Sequence, residues 1–203
     1  MKPVTPARWR VFAALELSPA WQQYLTGLID SLKGELGSGG LRWVKPDGIH
    51  LTLKFYGEVR PDVVPALEET LRRAGAGSAP VPLDLGGLGV FPGPRAPRVM
   101  WVGLAGDLPA LAALAQAVET GAAPLGFPPE ARGFSPHLTL ARVSGRLSTA
   151  ESRKLQEVVA RPPAGGAGPQ TFTDLSLMRS ELRGPGGAKY TQLMTAPLAG
   201  RAP

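Results

Sequence analysis

The tetrapeptide His-Leu-Thr-Leu occurs twice, in "GIHLTLKF" at 48–55 and in "SPHLTLAR" at 135–142, and the two copies hold both histidines of the chain. His50 and His137 lie 87 positions apart (137 − 50) in 203 residues, so each half of the chain carries one motif and a fold of two halves related by duplication is expected. Side chains alternate along a strand, which puts His50 and Thr52 on one face and Leu51 and Leu53 on the other. His137 and Thr139 oppose Leu138 and Leu140 in the same way. Each motif therefore reads as a strand that buries two leucines in its lobe and turns outwards an imidazole and a hydroxyl about 7 Å apart.

Around these motifs helical and strand patterns alternate. A helix is expected from Ser18 as N-cap and Pro19 at the first position, through Trp21, Leu25, Leu28, Ile29 and Leu32, to Gly34. Others are expected from Pro61 to about Ala74, from near Asp107 through Leu111, Leu114 and Val118, and from a capping-box pattern at Ser148 to Glu151 up to Pro162. Strands are expected at about 8–16, 41–44, 49–56, 81–90, 97–104, 136–143, 170–181 and 188–196. Glycine- and proline-rich stretches at 34–40, 74–80, 91–97, 161–169 and 183–188 read as tight connections. The order implies an α+β fold with two mostly antiparallel sheets, bilobal and pseudo-twofold, with helices on the outer faces and a central groove carrying the two His-x-Thr motifs. Residues 1–203 read as a single domain of two lobes.

The absence of cysteine removes disulfides, thiolate chemistry and cysteine-based metal sites. No glycine-rich run ends in Gly-Lys-Ser/Thr, so no ATP site is expected. The apolar run Val11–Leu17 is broken by Glu16, and no stretch approaches a membrane span, which points to a cytoplasmic protein without membrane contact. Nothing shows an exposed heptad or a symmetrical patch, and a monomer is expected. The net charge of +6 comes mostly from arginine, whose planar fork suits phosphate.

Two imidazoles near neutral pH can divide into a general acid and a general base, and threonine hydroxyls can donate to an oxyanion. Such a set suits an anionic centre with a leaving oxygen to protonate and a water to deprotonate, as in a phosphodiester. The strand argument gives the pair and leaves open which ring is acid. Arg142, five positions after His137, falls on the wrong face under ideal alternation and needs twist or a bulge to reach the site. Lys54 and Tyr56 share parity with His50 and are expected on the groove side, Tyr56 either stacked on a base or covering the lobe edge; Trp43, Tyr190 and Phe12 are further aromatic candidates, and Lys54 and Arg10 electrostatic ones. Two histidines with no carboxylate within two residues of either motif do not make a metal site, so no metal and no cofactor are expected.

With both motifs in hand, the chain resembles the 2H phosphoesterase superfamily, and within it the bacterial RNA 2′,3′-cyclic phosphodiesterases, also called 2′-5′ RNA ligases. The likeness runs through "RVFAALELS", "LRWVKPDGIHLTLKFYGEV", "FPGPRAPRVMWVGL", "FSPHLTLARV" and "LSLMRSELRGPGGAKYTQL". It implies metal- and ATP-independent opening of a 2′,3′-cyclic phosphate at an RNA end to a 2′-phosphate. By that likeness His50 donates a proton to the departing 3′ oxygen, His137 accepts one from water, and Thr52, Thr139 and Arg142 hold the phosphate oxygens. The same site run in reverse would join RNA ends through a 2′-5′ linkage. A non-catalytic protein that captures RNA ends is the alternative from another class.

Overall fold

The computed structural model describes residues 7–37, 39–161, 166–182 and 188–200. The chain begins with β1 (Trp9–Glu16), α1 (Pro19–Leu36), β2 (Leu41–Trp43) and β3 (His50–Val59), followed by α2 (Val64–Ala76) and β4 (Val81–Phe91). The second half contributes β5 (Val99–Gly106), α3 (Leu108–Ala122), β6 (Leu138–Val143), α4 (Thr149–Val159), β7 (Gln170–Phe172), β8 (Asp174–Leu182) and β9 (Ala188–Pro197). Helix starts follow the expected chemistry: Ser18 accepts from the Trp21 amide at 3.3 Å, Asp107 from Ala110 at 2.9 Å, and Ser148 and Glu151 close a reciprocal capping box. α1 runs past Gly34, whose position is open on all sides, and ends at Gly37, where φ is +72° and the amide bonds the Lys33 carbonyl at 2.9 Å. The expected stop of α4 at Pro162, and parts of the connections 161–169 and 183–188, lie outside the described residues.

Two antiparallel sheets form the α+β body, one in the order β3-β1-β8-β9 and the other β2-β6-β5-β4-β7. The first sheet thus joins the two ends of the chain, and the second takes the middle together with β2. The extended run expected at 170–181 splits at Thr173: residues before it pair with β4 in one sheet, residues after it with β1 and β9 in the other. The two sheets meet where the edge strand β3 approaches β6.

A continuous apolar core fills the helix side of both sheets. It takes Val11, Ala13 and Leu15 from β1, Leu51 and Leu53 from β3, Leu138 and Leu140 from β6, and the inner stripes of the helices, such as Trp21, Leu25 and Ile29 of α1. Burying each of these large side chains contributes about 1.5–3 kcal/mol, so the four motif leucines hold their strands firmly. On the other face of the first sheet a small separate cluster of Phe12, Ala14 and Met178 packs with Tyr190 and floors the groove.

Ideal alternation fails just after each motif, for one physical reason. In β3, Thr52 pairs with Ala14 and Lys54 with Ala13, leaving Leu53 as an extra, unpaired residue. In β6, Thr139 pairs with Trp101 and Ala141 with Met100, leaving Leu140 extra in the same way. A one-residue bulge reverses every face beyond it. The reversal carries Arg142 to the groove and carries Lys54 away from it. A second bulge leaves Tyr56 unpaired between Phe55 and Gly57. The expectation that Lys54 and Tyr56 face the groove is therefore wrong: they are 3% and 6% exposed and buried on the core side, while Phe55 takes the groove side.

Candidate active site

A groove of about 510 Å³ opens between the sheets. His50, Arg142, Trp43 and Tyr190 line it, together with Arg10, Arg42, Lys45 and Phe55. Arg42 and Arg142 are cross-strand partners on β2 and β6, so their side chains leave the same face of the second sheet. Thr52 on β3, Thr139 on β6 and His137 just before β6 are partly buried and lie off the walls of this groove. Lys54 and Tyr56 belong elsewhere: the Lys54 ammonium donates to the Glu119 carboxylate and to the Pro128 carbonyl at 2.9 Å, and Tyr56 packs edge-on against Phe127 at 5.3 Å. Burial, with the charge of Glu119 second, raises the Tyr56 phenol far above its ordinary range.

The Gly48 backbone beside His50 favours its protonated form, and Nδ1 of His137 lies 2.8 Å from the Ser135 carbonyl. Each ring also has two aromatic walls. His50 stacks on Phe12 at 4.5 Å and meets Tyr190 edge-on at 4.9 Å; His137 meets Phe91 edge-on at 5.0 Å and Trp101 at 6.4 Å. Trp101 in turn lies against Gly89, where a Cβ would come within 2.3 Å of the indole. Burial pulls His50 down from its ordinary 6.5 to about 4, against the smaller upward pull of the Gly48 backbone. His50 is therefore neutral at pH 7 in the open groove.

Sequence reasoning missed Phe55, Arg42, Lys45 and the aromatic pair around His137. The duplication itself pointed to Phe55: it stands five residues after His50, as Arg142 stands five after His137, so equivalent bulges deliver both to the groove. Among the described residues no group of three or more His, Asp or Glu side chains is close enough to hold a metal ion. No helix in them is long and apolar enough to cross a membrane.

Comparisons with known proteins agree with the duplicated fold. The family model described as LigT-like phosphoesterase matches residues 15–101 and again 102–188, and its two matches are offset by 87 residues (102 − 15), the spacing of the two histidines. A Methanothermobacter thermautotrophicus protein named RNA 2′,3′-cyclic phosphodiesterase is 32% identical over 184 residues, 91% of this chain and 96% of its own. One of the same name from Archaeoglobus fulgidus is 28% identical over 91% of this chain and 97% of its own. Among solved structures, a Thermus thermophilus protein superposes with a TM-score of 0.77 at 28% identity over 95% of this chain and all of its own. Escherichia coli LigT in complex with 3′-AMP gives 0.73 at 27% identity, over 95% of this chain and 99% of its own. Two family matches spanning most of the sequence, over a fold with one motif in each sheet, make this chain a member of the LigT-like phosphoesterase family.

Proposed function

We propose that this phosphoesterase hydrolyses 2′,3′-cyclic phosphate at RNA ends to a 2′-phosphate, without metal or ATP, and that its two lobes work as one catalytic unit. The carrying observation is that the two His-Leu-Thr-Leu copies stand on β3 of one sheet and at the head of β6 of the other, strands that touch, with His50 and Arg142 on the walls of one groove. When His137 donates Nδ1–H to Ser135, its Nε2 keeps a free lone pair and is ready to accept a proton. Water attacks phosphorus as His137 takes its proton, the bond from phosphorus to the 3′ oxygen breaks, and His50 protonates that oxygen. One proton enters His137 and one leaves His50, and exchange with solvent restores both.

The lowered pKa of His50 suits a donor that is charged by its own substrate. Before substrate arrives the ring stays neutral between Phe12 and Tyr190. An arriving phosphate anion supplies the opposite charge that favours the imidazolium, so the acid forms where it is needed. Arg142, brought to the groove by its bulge, and the hydroxyls of Thr52 and Thr139 hold the non-bridging oxygens.

The test is incubation, in chelator and without ATP, with a short RNA ending in a 2′,3′-cyclic phosphate, resolving 2′-phosphate, 3′-phosphate and ligated products. A 2′-phosphate is expected. A 3′-phosphate would reverse the leaving group, and binding without product would reduce the protein to an RNA-end receptor.

A further inference from the structure

The arginines of this fold divide by whether a carboxylate meets them. Arg60, Arg72, Arg73, Arg153, Arg161 and Arg179 each have one within ion-pair reach. Arg95, Arg98 and Arg146 have none among the described residues, and all three are exposed. They share a concavity of about 560 Å³ at the end of the second sheet, with Ser144 and Ser152 on its wall and no acidic side chain lining it. Glu151, in the helix turn that carries Ser152, is turned to the Ser148 amide by the capping box. The backbone that presents the three is tied down. The Arg98 amide donates to the Phe91 carbonyl at 2.7 Å, its carbonyl accepts from Val143 at 2.9 Å, and Gln156 of α4 donates to the Pro94 carbonyl at 3.3 Å. Three like charges held together on a fixed frame repel one another, and a ligand with several negative charges relieves that repulsion.

The concavity continues the basic wall of the groove around the end of the sheet. Arg42 and Arg142 are cross-strand partners in the groove, and Arg142 is also opposite Val99. One residue farther, Val143 bonds the Arg98 carbonyl, and alternation turns Arg98 to the other face, beside Arg95 and Arg146 in the loops that end the two strands. Ser144 stands five residues beyond Thr139 of the second motif, roughly 17 Å at 3.3 Å per residue. A cyclic phosphate closes its RNA at the 3′ end, so the rest of the strand leaves the site only in the 5′ direction, and every linkage of it brings one negative charge. We propose that Arg95, Arg98 and Arg146 form a subsite for the phosphodiesters upstream of the reacting end, and that it favours RNA strands over mononucleotides. This inference rests on reading the groove as an RNA-end site. Guanidinium forks grip phosphate oxygens without reading bases, so the subsite is indifferent to sequence.

The test compares adenosine 2′,3′-cyclic phosphate with a single-stranded RNA of about eight nucleotides ending in the same group, in the unaltered protein and in Arg95→Gln/Arg98→Gln/Arg146→Gln. The kcat/KM for the RNA is expected to fall roughly 3- to 100-fold in the triple variant, through KM, with that for the mononucleotide unchanged. Equal losses on both substrates, or no loss on the RNA, overturn the subsite. Arg72→Gln/Arg73→Gln/Arg153→Gln removes the same charge from arginines that already meet carboxylates and should leave the RNA rate alone; an equal loss there makes the effect one of net charge and also overturns the subsite. Binding of the same RNA ending in a 3′-phosphate, followed by fluorescence anisotropy against salt, reads the subsite without turnover. At about 0.7 per phosphate on a single strand, the slope of log Kd on log salt should fall by about 2 in the triple variant. If no cyclic phosphate is hydrolysed but this slope still falls, the hydrolase reading fails while the subsite stands. Neutral methylphosphonates placed singly upstream of the end should weaken binding to the unaltered protein and not to the triple variant; equal weakening in both refutes the assignment.

Discussion

The burial of His50 makes a sharp prediction about stability. Its pKa in the folded chain is about 4 against an ordinary 6.5, so between these values the unfolded chain binds the extra proton. Stability from this group is fully present above pH 6.5 and is lost as the pH falls toward 4. The gap of 2.5 (6.5 − 4) corresponds to about 3 kcal/mol in full, and at pH 4.5 about 2.5 kcal/mol is already gone. Urea denaturation of the unaltered protein and of His50→Gln at pH 7.5 and 4.5 isolates the contribution from that of the carboxylates, which titrate in both. The loss on acidification is expected to be about 2.5 kcal/mol smaller in His50→Gln. With only two histidines, each ring can also be followed by its own carbon–proton NMR signal during a pH titration. A His50 midpoint near 6.5, or equal acid losses in the two proteins, would refute the idea that the aromatic walls keep this imidazole dry.

His50→Ala and His137→Ala are each expected to lower turnover by about 10²–10⁴-fold, measured as single-turnover rates on a cyclic-phosphate RNA end, with a smaller change in binding; unchanged turnover in either variant removes that ring from the mechanism. A non-hydrolysable phosphodiester, whose own charge is constant with pH, should bind with proton uptake at His50, so its Kd rises with pH above about 4 by up to tenfold per unit until the pKa of the complex is passed. A pH-independent Kd there, by titration calorimetry, would mean that the phosphate does not charge His50. Lys54→Met leaves Glu119 without its partner at the core and should destabilise the fold by about 3–5 kcal/mol by urea denaturation, with much of the loss recovered in Lys54→Met/Glu119→Leu.

Most of the fold could be read from the sequence because its signals are local. Ser18, Asp107 and Ser148 cap helices by their own side chains, and the leucines of both motifs mark buried faces by spacing alone. What could not be read depends on partners far along the chain. The face of Lys54 is decided by Glu119, 65 residues away, and ideal alternation has no knowledge of that carboxylate. The run 170–181 is extended throughout, so nothing in its pattern reveals that its two parts serve different sheets. In the groove, His50, Arg142, Trp43 and Tyr190 were legible from motif and composition, and Phe55 was hidden by the parity error that misplaced its two neighbours.

The exchange of strands between the halves has a further consequence. The two family matches abut between residues 101 and 102, inside β5 rather than between the sheets, and the first sheet needs β8 and β9 from the far end of the chain. The internal repeat is therefore no longer a unit of construction. A gene cut at the repeat boundary would yield two polypeptides that each leave unfilled edges, and neither would carry a usable fragment of the site. Having interlocked in this way, the halves stay joined through shared sheets while their sequences diverge, one presenting Phe55 where the other presents Arg142.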